Sequence, residues 1–162
     1  MRAALSSAPF FYCEPVAVGA WTLVSIDSCI EGRHDGEIAA PELDRMEASI
    51  RQGGHVLVLL HHPPVKLHSE WLDRYGLSNA PQFFERIDRH ENVRGIVFGH
   101  VHQCWDSERG SVRIIGSPST CSQFAPRRTE FTVDDKPPAY RRIELFADGN
   151  IATEVVWVDD IL

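Results

Sequence analysis

The 162-residue chain has few basic residues, no closely paired cysteines and no long apolar run. Its 16 lysines and arginines face 23 aspartates and glutamates, giving a net charge of −7. That balance excludes a general grip on a nucleic-acid backbone unless basic residues are concentrated locally. The pairs Arg127-Arg128 and Arg141-Arg142 are too small for this and read as solvated surface charge. No stretch approaches the about 20 apolar residues that cross a bilayer. The apolar core of residues 1–10 is also too short for a secretion signal. A cytoplasmic protein is therefore expected, with neither a membrane nor a nucleic acid as partner. Cys13, Cys29, Cys104 and Cys121 include no CxxC pair, which excludes a zinc knuckle or dithiol centre and leaves reduced structural thiols. No internal repeat or low-complexity tract is present.

What is present is enough for a core: 43% of the residues are hydrophobic, and the length predicts one domain over 1–162. Residues 1–7 read as the tail of a helix, and 10–18 and 20–27 as two strands meeting at Gly19. A polar loop over 31–40 leads to Pro41, which opens a helix carrying Leu43, Met46 and Ile50 at helical spacing and ending at Gly53-Gly54. Residues 55–60 are continuously apolar after His55, as in a strand covered on both faces. An irregular stretch with Trp71 and Tyr75 follows, then a helix over 81–90 with Phe83, Phe84 and Ile87 inward, then a strand over 93–98. Segments 111–115, 139–146 and 151–158 are strand-like, the last two joined by a hairpin turn at Ala147-Asp148-Gly149-Asn150.

The strand–helix–strand order predicts parallel neighbours, and in such sheets ligands gather outside the carboxyl ends of the strands. Both histidine motifs fall there: His61-His62 after 55–60, and Gly99-His100-Val101-His102 after 93–98. Neutral imidazole is a good ligand for zinc, iron, manganese and cobalt. Taken singly, His100 or His102 reads equally well as a hydrogen-bonded strand-end residue; the pairing with His61 favours a metal site. Alternation along the chain sends His61 and His62 in different directions, so one is a ligand and the other packs or meets substrate. His34, His55, His68 and His90 read as surface or capping residues, and Asp27 and Asp35 as strand-end or solvated carboxylates. Trp71 and Tyr75 read as loop anchors before base-stacking residues. Ser119, Thr120 and Gln123 likewise read as structural residues of their loop.

The segment VLLHHPP, followed 39 positions after His61 by the first histidine of GHVH, resembles the calcineurin-like metallophosphoesterase superfamily. Ile26-Asp27-Ser28 and Gly116-Ser-Pro-Ser-Thr-Cys-Ser-Gln-Phe124 narrow the resemblance to bacterial class III 3′,5′-cyclic AMP phosphodiesterases. It implies an α/β fold, an α-β-β-α sandwich with mixed sheets, of which this chain supplies the C-terminal half. It further implies a dinuclear centre of divalent ions, iron with manganese or zinc, in which His61 and His100 share one metal, His102 binds the other and His62 is a candidate substrate contact. Hydroxide activated by the metals would attack a cyclic nucleotide, with no protein nucleophile.

Three family motifs are not found ahead of the first histidine motif: Asp-x-His, Gly-Asp, and Gly-Asn-His followed by an acidic residue. They normally precede the segment aligned with Met1, so the chain resembles a member lacking its N-terminal half, and the dinuclear centre is incomplete in it. The alternative expectation is a weak or inactive remnant serving as a metal-binding or interaction module. An incomplete sandwich also predicts exposed apolar sheet and hence a homodimer.

Overall fold

The computed structural model describes residues 12–158. Within that range the expected elements recur in order, most with slightly different ends. Gly19, with φ of +56°, turns the chain between β1 (Val16–Val18) and β2 (Trp21–Ser25), both shorter than the expected strands. The expected helical tail over 1–7, and positions 10 and 11 of the first strand, lie outside the described residues. Helix α1 (Ala40–Ile50) starts with Pro41 in its first turn, where a missing N–H costs nothing. Strand β3 (His55–Leu60) follows, then a short 3-10 turn (Leu72–Tyr75) inside the expected irregular stretch. Helix α2 (Ala80–Ile87) stops three residues before His90, where the Arg89 and His90 amides turn to the tighter i−3 carbonyls of Arg86 and Ile87. Strand β4 (Val93–Phe98) matches the expected segment.

Three strands were not expected at all in the region after β4: β5 (Trp105–Arg109), which precedes β6 (Val112–Gly116), and the pair β7 (Gln123–Phe124) and β8 (Val133–Asp134). Strands β9 (Ala139–Leu145) and β10 (Ile151–Trp157) form the expected hairpin.

Six strands join in the order β1-β2-β3-β4-β6-β5. The inner β2, β3, β4 and β6 run parallel, while β1 and β5 close the edges antiparallel. The sequence β2-α1-β3-α2-β4 explains this, because a parallel pair needs a crossover and each helix supplies one. One face of the sheet carries Val24, Val56, Val58, Leu60, Ile96 and Phe98 into a single cluster with Met46 and Ile50 of α1 and Phe83 and Ile87 of α2. Each such side chain contributes roughly 1.5–3 kcal/mol by leaving water. Glu47, only 3% exposed, ties the helices together by pairing with Arg51 of its own helix and with Arg86 of α2, with His90 nearby.

The β9–β10 hairpin lies against part of the other face. A Cβ built on Gly95 would come within 2.7 Å of Ile151 Cδ1, so the hairpin packs closely here and any larger residue would make that side chain shift. Trp21, Arg94 and Arg113 donate to the carbonyls of Phe146, Gly149 and Ile151. The layers are thus helix, mixed sheet and second sheet. The β3–β4 pairing contains one irregularity: Val56 lies opposite Val93 but Leu57 opposite Gly95, so Arg94 is an extra residue. Among the described residues no helix is long and apolar enough to cross a membrane.

Candidate metal centre

The carboxyl ends of four parallel strands release the chain on one edge, and the loops that start there bring the histidines together. After β3, His61 is exposed and His62 buried, their ring planes 88° apart, so the two neighbours do diverge as alternation predicts. After β4, Gly99 lets the chain pass close to His61: a Cβ there would sit 3.5 Å from His61 Nδ1. Val101 is fully buried and plugs the turn into the core, leaving His100 and His102 on either side of it. Both hold left-handed backbone, with φ of +67° and +48°. Such conformations cost a β-carbon-bearing residue about 1–3 kcal/mol and persist where surrounding structure enforces them.

His100 Nδ1 lies 3.2 Å from His61 Nε2. With His62 they form a group whose ligand-capable nitrogens all lie within 4.8 Å of one another. Burial, then repulsion from His61, pushes His62 down to about 4, and the same causes, with His62 and His102 adding to the repulsion, bring His100 to about 4. His61 is lowered by burial and by His102. All three are therefore neutral at pH 7, the protonation state in which imidazole binds metal. Two neutral rings in such contact need a proton or a cation between them, and His100 Nε2 is buried without a hydrogen-bond partner. The donor set thus fits a divalent metal ion.

The structure brings His61 and His100 together, and places His62 beside them. His102 is not part of that group: its ring stacks on Phe124 and bonds to the Ser122 carbonyl. No carboxylate belongs to the group among the described residues. Asp27 accepts from the Cys29 amide and Asp35 pairs with Arg33, as strand-end and loop carboxylates do. Trp71 packs edge-on to Phe124 and Phe131, an anchoring role, and Tyr75 meets the edge of His34.

Sequence reasoning missed three supports. Ser28 Oγ sits 2.8 Å from His62 Nδ1, both side chains buried. The main chain of Gly36 is held by Gly76 and Ser78 at 3.1 and 2.7 Å, and packs on His62 so closely that a Cβ would come within 2.4 Å of its ring. Phe124 stacks on His102. The glycine in an otherwise ordinary loop was the one available signal; the other two depend on contacts across the fold. Gly36→Ala is expected to cost about 1–3 kcal/mol, as overpacking does, and to displace the His62 ring. Urea unfolding reads the first effect and the histidine NMR signals the second.

The lowered imidazoles also set a pH dependence. In the metal-free chain His62 and His100 protonate near 4, whereas in the unfolded chain they do so near 6.5. The unfolded state therefore binds protons first as pH falls, and stability that is full above 6.5 is lost progressively toward 4. Urea midpoints measured across that window should fall more steeply for the wild type than for a His62→Gln/His100→Gln variant.

Comparison with known proteins supports the same class. No family model matches the chain. It is 39% identical over 149 residues to a 3′,5′-cyclic adenosine monophosphate phosphodiesterase of Pseudomonas aeruginosa, covering 91% of the chain and 55% of that protein. A 3′,5′-cyclic-nucleotide phosphodiesterase of Nostoc is 34% identical, covering 85% of the chain and 52% of that protein. The cyclic AMP phosphodiesterase of Escherichia coli K12 is 34% identical over 96% of the chain and 58% of its own length. The chain thus spans about half the length of the curated relatives it matches. Among solved structures, a dimetal phosphatase from Danio rerio aligns with a TM-score of 0.54 at 14% identity, covering 77% of this chain and 54% of that one. In fold, the chain resembles that dimetal phosphatase. In sequence it is similar to bacterial 3′,5′-cyclic nucleotide phosphodiesterases, matching a little over half of each.

Proposed function

We propose that the chain serves a metal-dependent phosphodiester hydrolase whose substrate is a 3′,5′-cyclic nucleotide, cyclic AMP in the first instance. The observation that carries this reading is the convergence of three neutral imidazoles at the carboxyl ends of β3 and β4. The relatives' activities supply the substrate class. In this reading His61 and His100 share one divalent ion, His102 serves a second, and His62 contacts the substrate, with iron and manganese or zinc as the ions. Such ions supply Lewis-acid stabilisation of the phosphoryl oxygens and an acidified water. The chain's own part is to hold the imidazoles at rigid strand ends and, by crowding them together in a partly buried group, to keep them unprotonated at neutral pH.

The net charge of −7 favours a small, singly charged diester over a polyanion such as nucleic acid. Cys29, Cys104 and Cys121 form no disulfide among the described residues, which supports a reducing, cytoplasmic compartment. Val16 and Val18 stand about half exposed on the edge strand β1, which supports pairing with a second copy. One observation favours a second reading, that of a metal-binding or interaction module without turnover: the group contains only histidines, and no carboxylate to bridge two ions.

Hydrolysis of cyclic AMP and of a bis-aryl phosphate by the purified chain with added Mn²⁺ separates the two. Turnover that disappears on chelation supports the hydrolase. Tight Mn²⁺ binding with no turnover of either diester selects the module, and the absence of both removes the metal reading.

A further inference from the structure

Residues 117–124 follow β6 and meet the turn after β4 at His102. Three contacts fix that histidine. Its Nδ1 lies 2.8 Å from the Ser122 carbonyl oxygen; a carbonyl only accepts, so Nδ1 carries the proton and Nε2 the lone pair. Its ring lies on Phe124 with centroids 4.2 Å apart and planes only 9° from parallel. The Phe124 amide donates to the His102 carbonyl at 3.0 Å, locking the backbone that holds the left-handed conformation.

The Phe124 ring is itself held. Trp71 and Phe131 meet it edge-on at 5.3 and 5.2 Å. From below, Gln123 is 2% exposed; its amide donates to the carbonyls of Ser119 and Pro137, and its oxygen accepts from the Ser119 amide. Loop, ring and carbonyl therefore form one support that meets the histidine turn at His102. Metal-ligating histidines are commonly oriented this way, one ring nitrogen being committed to a protein acceptor so that the other is free.

We infer that Phe124 is a positioning residue for His102: with the Ser122 carbonyl it selects one tautomer and one ring plane, so that Nε2 is presented as a ready ligand. The inference rests on the proposed reading of His102 as a metal ligand and adds the residue that sets its geometry. A purely structural Phe124 would stabilise the loop without fixing the protonation site of the imidazole.

Long-range ¹H–¹⁵N spectra of the metal-free chain labelled in histidine distinguish Nδ1–H from Nε2–H rings, and His102→Gln assigns the signal. The wild type is expected to show His102 in the Nδ1–H form. Phe124→Leu keeps apolar bulk but no ring plane, and should give a mixture of tautomers with Mn²⁺ affinity lowered about 10-fold. Phe124→Tyr should restore both. If the leucine variant does not fold, Phe124→Met, a more adaptable replacement, takes its place. An Nε2–H ring in the wild type overturns the inference, as does a leucine or methionine variant that melts earlier with tautomer and affinity unchanged. If the tautomer responds as expected but His102→Gln binds Mn²⁺ as tightly as the wild type, the orienting role of Phe124 stands and the ligand reading of His102 falls.

Discussion

Replacing His100 by alanine is expected to weaken Mn²⁺ binding by more than about 100-fold, the upper range already reached by removing a residue that merely orients a ligand. His100 is the member of the group with the most to lose. One of its nitrogens faces His61 at 3.2 Å, and the other is buried with no partner at all. An apolar interior seldom leaves an imidazole nitrogen in that condition unless something else completes it. The fold should survive the change, because Val101, not His100, anchors the turn in the core. Calorimetric titration with Mn²⁺ beside a thermal melt reads both quantities. Unchanged affinity in the variant would take His100 out of the site and, with it, the reading that the strand ends form a metal centre.

Phe98→Ala should have the largest effect on stability. Phe98 is 1% exposed, is the last residue of β4 and presses its ring edge against Gly116 of β6, where a Cβ would lie 3.0 Å away. Truncating such a ring costs about 3–5 kcal/mol. That is a large share of the about 5–15 kcal/mol that holds a typical domain together. The neighbouring Val97 points to the opposite face and is half-buried, so Val97→Ala should lower the urea midpoint much less. Equal losses for the two would mean that the helix-covered face is not the dominant core. Because Phe98 immediately precedes Gly99, the same change should loosen the His61–His100 contact, visible as broadened histidine NMR signals.

The elements that were legible in the sequence are those whose signal is local. The apolar run of β3 and β4 announces a strand buried on both sides, and Leu43, Met46 and Ile50 announce the inner face of α1. Strand β5 was not legible because it lies at the sheet edge, paired only with β6, and its Asp106, Glu108 and Arg109 remain in solvent. An edge strand needs no apolar pattern, and charge there discourages pairing with another chain. In the site, the histidine positions could be read from their place at strand ends. Their supports could not: Ser28 is 34 residues from His62 and Ser122 is 20 residues from His102, and only the folded chain makes them neighbours. The left-handed backbone at His100 and His102 was equally silent, since no residue type there favours it.

The irregular pairing of β3 with β4 bears directly on how the centre is assembled. With Arg94 as an extra residue, Leu60 and Phe98 finish level with each other. Without it, β4 would lag one position, about 3.3 Å along the strand. Every side chain beyond that point would also be turned to the other side of the sheet. His100 would then no longer reach His61. A single surface arginine about 20 Å of chain away thus acts as a shim, setting the height at which two strands deliver their histidines.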